Sequence, residues 1–227
     1  MKYTVFQKIM SSPRMNRYYA ACGNNSRKAM TLYRLNLRLS QEMFTLISCF
    51  EVALRNAIDQ HYRGTLGADW LRDSTVPGGR FDNHLCSYTA RSISDAVNKW
   101  CTNYSHEKVV AELGFGFWRY MFSRHQYRAA GQTLIAVFPA LPPSTPAKQY
   151  NSIFIYNGLA KVNKIRNRIA HHEAICFTPA MNVKNTSFAR QNYAHILQFF
   201  QWMNIDQSAL LHGLDHVISV CNTIDAL

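Results

Sequence analysis

The chain has 227 residues, 48% hydrophobic and 17% charged; this excludes a disordered polymer and suits one large domain, or a core with appended helices. Twenty-five Lys and Arg against thirteen Asp and Glu give a formal +12, a charge that attracts polyanions, with nucleic acid first and anionic lipid second. A cytoplasmic location is expected: no apolar run approaches the ~18 residues of a membrane span, the opening MKYTVFQKIMSSPRM has no continuous apolar signal core, and the six cysteines (22, 49, 86, 101, 176 and 221) read as reduced structural thiols, without CxxC or zinc-ligand spacing.

Residues 1–25 read as an irregular segment ending in the turn-like Cys22-Gly23-Asn24-Asn25, ahead of a single helical domain over 26–227. The longest helical pattern runs from Ser26 to Tyr62. Its apolar positions Leu32, Leu35, Leu39, Met43, Leu46, Ile47, Phe50, Leu54 and Ile58 recur at steps of three and four. Gly64, Gly67 and Pro77-Gly78-Gly79 mark a loop. Helices follow over Ser87–Cys101 and His106–Leu113, then a glycine-permitted bend at Gly114-Phe115-Gly116-Phe117-Trp118, where the aromatic rings are expected to pack a helix corner. A further helix is expected over Trp118–Thr133. Pro139, Pro142, Pro143 and Pro146 form a stiff connector. Next come a helix over Lys148–His171, ended before Pro179, and two more over Asn185–Met203 and Gln207–Thr223. No segment sustains period-two alternation with turns on both sides, so the class is all-α.

The stretch from Lys161 to Glu173 concentrates the chemistry. At ~100° per residue, Leu159, Val162, Ile165 and Ile169 form an apolar stripe facing the core. Asn163, Asn167 and His171 fall at i, i+4 and i+8 on roughly the opposite side, which aims His171 at solvent, a ligand or another subunit. Arg166 flanks the apolar stripe and can swing either way, while Lys161, Lys164 and Arg168 surround the polar side and supply field for a phosphate. Imidazole moves protons near neutral pH, and a guanidinium grips a phosphate bidentately and offsets charge growing in the transition state. The bland alternative is a solvated polar face. Adjacent His171 and His172 point ~100° apart and chelate a metal poorly by themselves; no phosphate-cradling glycine loop, serine elbow or metal cluster accompanies them, and neither metal nor cofactor is expected.

The run Arg166-Asn167-Arg168-Ile169-Ala170-His171-His172-Glu173 resembles the RNRxAHHE signature of the Abi-like (abortive infection) family, a branch of the HEPN superfamily, whose general motif is Arg, four to six residues, then His. Residues 111–118 resemble the same family's E-L-S-F-G-F-W stretch, with Gly114 where serine is commoner. Phe138-Pro139 resembles its F-P, and Phe50 to Asn56 its I-E-x-x-L-R-N helix. The likeness runs in order from about Leu32 to the C terminus. It implies a HEPN-like helical bundle with additional helices that dimerises and brings two Arg/His motifs into one cleft. It also implies metal-independent RNA cleavage in abortive infection or toxin–antitoxin defence, with an antitoxin protein or non-coding RNA as a further partner.

In the implied reaction the substrate's 2′-hydroxyl attacks. His171 takes the proton or returns it to the leaving 5′-oxygen, Arg166 stabilises the phosphorane, and Asn167 orients the phosphate or the histidine. The products would carry 2′,3′-cyclic phosphate and 5′-hydroxyl ends, and DNA, lacking that hydroxyl, would resist. His172 and Glu173 either tune His171 or simply close the helix. Arg55 and His61 repeat the Arg–His spacing, but His61 falls on the apolar stripe and reads as a core or helix-end histidine. Glu51, Arg55 and Asp59 at i, i+4 and i+8 suggest an ion-pair ladder; Glu51, Arg55 and Asn56 also suit a supporting wall of the site. Tyr18, Tyr19, Arg27, Lys28, Arg34 and Arg38 make a basic, aromatic region that either grips RNA or is a solvated face. The competing function is a non-catalytic RNA-binding or scaffolding HEPN module. An anionic-membrane role finds no helix that is basic on one face and apolar on the other near a terminus.

Overall fold

A computed structural model describes residues 1–178 and 181–227. Among them twelve α-helices form: α1 (Tyr3–Met10), α2 (Ser12–Ala21), α3 (Ser26–Leu66), α4 (Trp70–Asp73), α5 (Ser87–Lys99), α6 (His106–Glu112), α7 (Phe115–Tyr120), α8 (Arg124–Ala129), α9 (Ser152–Ala170), α10 (Ser187–Trp202), α11 (Gln207–Leu210) and α12 (Val217–Ala226). The chain is all-α. Extended pairing among the described residues is limited to an isolated bridge between Phe177 and Lys184. No helix among them is long and apolar enough to cross a membrane.

The helices group into two compact units, the first of residues 1–48, 164–198 and 207–227, the second of 49–163 and 199–206. Helices α3, α9 and α10 each supply residues to both. The long α3 buries the expected stripe from Leu32 to Ile58, with Leu35 half-buried. It runs through Gly64 and stops only where Gly67, at φ +106°, takes a conformation few other residues adopt.

In the first unit, the segment expected to be irregular is helical. Pro13 sits in the opening turn of α2, where its missing N–H costs nothing. Phe6, Met15 and Tyr18 are buried. Tyr33 of α3 receives the Phe6 and Tyr18 rings edge-on at 5.5 and 5.1 Å, and Tyr18 meets Phe177 at 5.0 Å. Ser11-Ser12-Pro13 followed by Met15 and Tyr18 at a three-residue step is a helix-start signal that the irregular reading passed over. The helix expected over Gln207–Thr223 is two: Gly213, at φ +73°, separates α11 from α12. Pro179, expected to stop α9, lies outside the described residues; the helix has already ended at Ala170.

The second unit packs around Phe50, which meets Phe199, Phe200 and Phe115 at 5.5, 5.4 and 6.3 Å. The expected Trp118–Thr133 helix is replaced by α7 and α8. A turn from Arg119 to Ser123 intervenes, and buried Gln126 binds the Thr89 hydroxyl at 3.1 Å. Trp118 and Phe115 pack the corner as expected, with the Trp118 indole N–H donating to Leu113 O at 2.8 Å. No Glu51–Arg55–Asp59 ladder forms among the described residues. Asp59, 8% exposed, instead accepts from the Trp70 indole at 2.8 Å and pairs with His106 Nε2 at 2.6 Å. A buried carboxylate needs such close partners; Arg63, one helical turn on, adds a longer ion pair at 3.9 Å. Burial pushes the Asp59 carboxyl up; the His106 and Trp70 hydrogen bonds and the nearby Arg63 charge outweigh that and leave it below its ordinary value.

Candidate functional site

Helix α9 is capped by the preceding Asn151, whose side chain accepts from the Phe154 N–H at 3.0 Å, and buries Ile155, Leu159, Val162 and Ile165. Its last turn carries the Arg/His motif and closes in a defined way. His172 takes the left-handed conformation, φ 56°; its N–H donates to Ile169 O at 2.9 Å and that of Glu173 to Arg168 O at 2.8 Å. This paired closure satisfies carbonyls that the helix end would leave free. The position after such a helix usually holds glycine, so a histidine there is held at a conformational cost.

Arg168 tightens the closure. Its Nε donates to Glu173 at 3.0 Å, its Nη2 to Ala174 O at 3.0 Å, and its guanidinium lies 4.7 Å from the Phe188 ring. With its side chain only 17% exposed and its charge met by Glu173, Arg168 is a clamp rather than the free phosphate contact that helix geometry suggests. Glu173 closes the turn through the same bond, and below it Ile175 N–H donates to the buried Asn36 side chain at 3.0 Å.

Around this turn lies a cleft of about 240 Å³, entirely within the first unit. One wall is the α9 terminus with His171, His172, Glu173 and Arg168; the other is α2, with Arg14, Arg17 and Tyr18. Arg14 is exposed and donates through Nη1 to His172 O at 3.1 Å. Arg17 is half-buried: it stacks over Phe177 at 4.3 Å and donates to Thr178 O and Met181 O at 3.2 and 2.6 Å. Its Nε is buried without a hydrogen-bond partner among the described residues. Burial pushes the Tyr18 hydroxyl up and the Cys176 thiol up to about 12, so neither is an anionic nucleophile near neutrality.

His171 and His172 are exposed at the mouth of this cleft. Asn167, though exposed, does not line it, and its carbonyl accepts from His171 N–H at 2.9 Å. Arg166 is half-buried, its buried Nε has no hydrogen-bond partner among the described residues, and it is absent from the cleft walls. Within one chain, therefore, the guanidinium groups that line the cleft with His171 are those of Arg14, Arg17 and Arg168, and the motifs pointed to Arg168 alone. The other expected RNA contacts lie outside the cleft: Lys161 and Lys164 are exposed on α9, and Arg27 and Arg38 on α3. Lys28 donates to Leu227 O at 2.7 Å, and Arg34 lies 5.3 Å from the Phe6 ring. Glu51 and Arg55, half-buried, and exposed Asn56 sit on the part of α3 in the second unit. His61 behaves as a structural histidine, its Nε2 bound to Thr133 Oγ1 at 2.8 Å and its ring against Tyr62; burial lowers its pKa. No group of three or more His, Cys, Asp or Glu among the described residues is arranged to hold a metal ion.

Comparison with known proteins gives one family. No curated protein and no solved structure matches the chain. The family model described as Abi-like protein matches residues 2–176. It takes in α1 and α2, ahead of the Leu32 start read from the motifs, and it ends before α10–α12, where those motifs were read as continuing. A match over this share of the chain, carrying both walls of the cleft, settles membership: the chain belongs to the Abi-like protein family.

Proposed function

We propose that this chain is a metal-independent RNA endonuclease of the HEPN type, serving abortive infection or a toxin–antitoxin pair. The observation that carries the reading is an exposed imidazole, His171, at the mouth of a cleft whose opposite wall presents Arg14 and Arg17. In this reading an RNA phosphate seats against Arg14, whose guanidinium suits two phosphate oxygens. His171 accepts the 2′-hydroxyl proton, or donates one to the departing 5′-oxygen. Attack of the 2′-oxygen on phosphorus breaks the P–O5′ bond and leaves a 2′,3′-cyclic phosphate and a 5′-hydroxyl. A homodimer would add Arg166 and Asn167 from a second motif to the same phosphate. Cytoplasmic location, and an antitoxin protein or non-coding RNA as partner, belong to the same proposal.

The test is incubation of wild type, His171→Ala and Arg14→Ala with total RNA in EDTA, followed by mapping of the new ends. Loss of a proton-transfer group is worth ~10²–10⁴-fold in rate, so His171→Ala is expected to stop detectable cutting. Arg14→Ala is expected to weaken substrate binding roughly tenfold, the scale of one charge-assisted contact. Undiminished cleavage by His171→Ala ends the proposal.

A second reading is supported by the position of Arg166 away from the His171 cleft: a non-catalytic module that holds RNA by the cationic wall. It predicts binding that weakens steeply with salt and no new RNA ends at any enzyme concentration, using protein stripped of nucleic acid.

A further inference from the structure

A cavity of about 600 Å³ in the second unit lies between α5 and the α6–α7 corner and uses no residue of the His171 cleft. Tyr88, 74% exposed, and Tyr120 stand edge to face, centroids 6.4 Å apart at 69°. Two rings at this angle make a corner with an aromatic face on each side. Phe117 adds a third ring, and Gly114 and Gly116 leave the mouth clear of side chains.

The charges in this groove oppose the sign of the chain. Its one lining cation, Lys99, donates to both carboxylate oxygens of Glu112 at 2.7 and 2.8 Å. Asp95, the other lining acid, has only Arg91 at 4.0 Å, with both side chains largely in solvent, a pairing of little strength. A molecule of formal charge +12 thus carries an aromatic corner with one weakly paired carboxylate. A nucleic-acid backbone would be repelled by Asp95. A guanidinium fits: it lies flat on aromatic faces and pairs in a fork with a carboxylate, whereas an ammonium is a compact point charge that does neither.

We propose that this groove is a docking site for an arginine-bearing segment of a partner polypeptide, with the guanidinium seated against Tyr88 and Tyr120 and paired to Asp95. The probe is a blocked tri-arginine peptide titrated at ~0.15 M salt, near physiological screening, followed by the ring-proton shifts of the two tyrosines. General attraction cannot mimic the result, since peptide and protein are both cations. Saturable shifts are expected, with affinity ~2–5-fold weaker in Tyr88→Ala, the scale of an exposed cation–aromatic contact, and a similar loss in Asp95→Asn, the scale of an exposed ion pair. The peptide with glutamine in place of arginine should not shift the rings. Both substitutions are at the surface and leave the core untouched. Absent shifts, or equal affinity in the variants, overturn the proposal. Two other results also overturn it: ring shifts produced instead by single-stranded RNA, which would make the corner a base-stacking site, and loss of self-association in the same variants, which would make its occupant a second copy of this chain.

Discussion

His172 sits in the left-handed region, where a side chain costs ~1–2 kcal/mol relative to glycine. His172→Gly is therefore expected to stabilise the protein by about 1 kcal/mol and raise Tm by ~2–4 °C in a thermal scan. A fall in Tm would mean that the imidazole makes stabilising contacts of its own. Gly114 offers a contrast. It is the N-cap of α7, at φ −78° and ψ 173°, with no side chain to cap and nothing within 4 Å of a Cβ placed there. Serine, common in the family at this position, would hydrogen-bond the first turn and restrict the unfolded chain. Gly114→Ser is expected to add about 1 kcal/mol, read as a higher urea midpoint at unchanged slope; an unchanged midpoint would show that the cap does not form.

At the scale of elements, α2 links the core to the cleft. One side of it buries Met15 and Tyr18, Arg14 reaches the turn that closes α9, and Arg17 binds the segment beyond it. Met15→Ala is expected to cost ~3 kcal/mol through the lost methylenes and the cavity left behind. Under the proposed function it also weakens RNA binding, because α2 loses its seating, although Met15 itself does not line the cleft. Thermal denaturation and an RNA titration of the same variant check both halves; full affinity in a destabilised protein would separate α2 from the site. The break between α11 and α12, and that between α7 and α8, show where periodicity misled. An apolar pattern survives a turn that Gly213 or Ser123 introduces, because both flanking helices still need a buried face.

For the molecule as a whole, Asp59 ties acid stability to the core of the second unit. Its carboxyl is lowered by its partners against the effect of burial, so the ionised form stabilises the fold at neutral pH. That contribution is lost as pH falls through the ordinary carboxylate value of about 4 toward the lowered one, where the native state must take up a proton. Asp59→Asn is expected to cost ~3 kcal/mol at pH 7, since it leaves His106 with a weaker partner, and to flatten the decline in stability between pH 5 and pH 3. Urea midpoints across that range decide it; an acid decline as steep as wild type would place the responsible carboxylate elsewhere.

Local pattern was enough for the all-α class, the buried stripe of α3, the outward aim of His171 and the family motifs, because side-chain direction on a helix follows directly from its ~3.6-residue period. Which side chains meet around the cleft and in the core was decided by tertiary packing. Arg14 reaches the carbonyl of His172 across 158 positions of chain, Asp59 gains His106 across 47, and Arg168 turns from open phosphate contact to internal clamp once Phe188 arrives beside it. Periodicity says which way a residue faces on its own helix; only burial of apolar surface between distant segments says what it then meets.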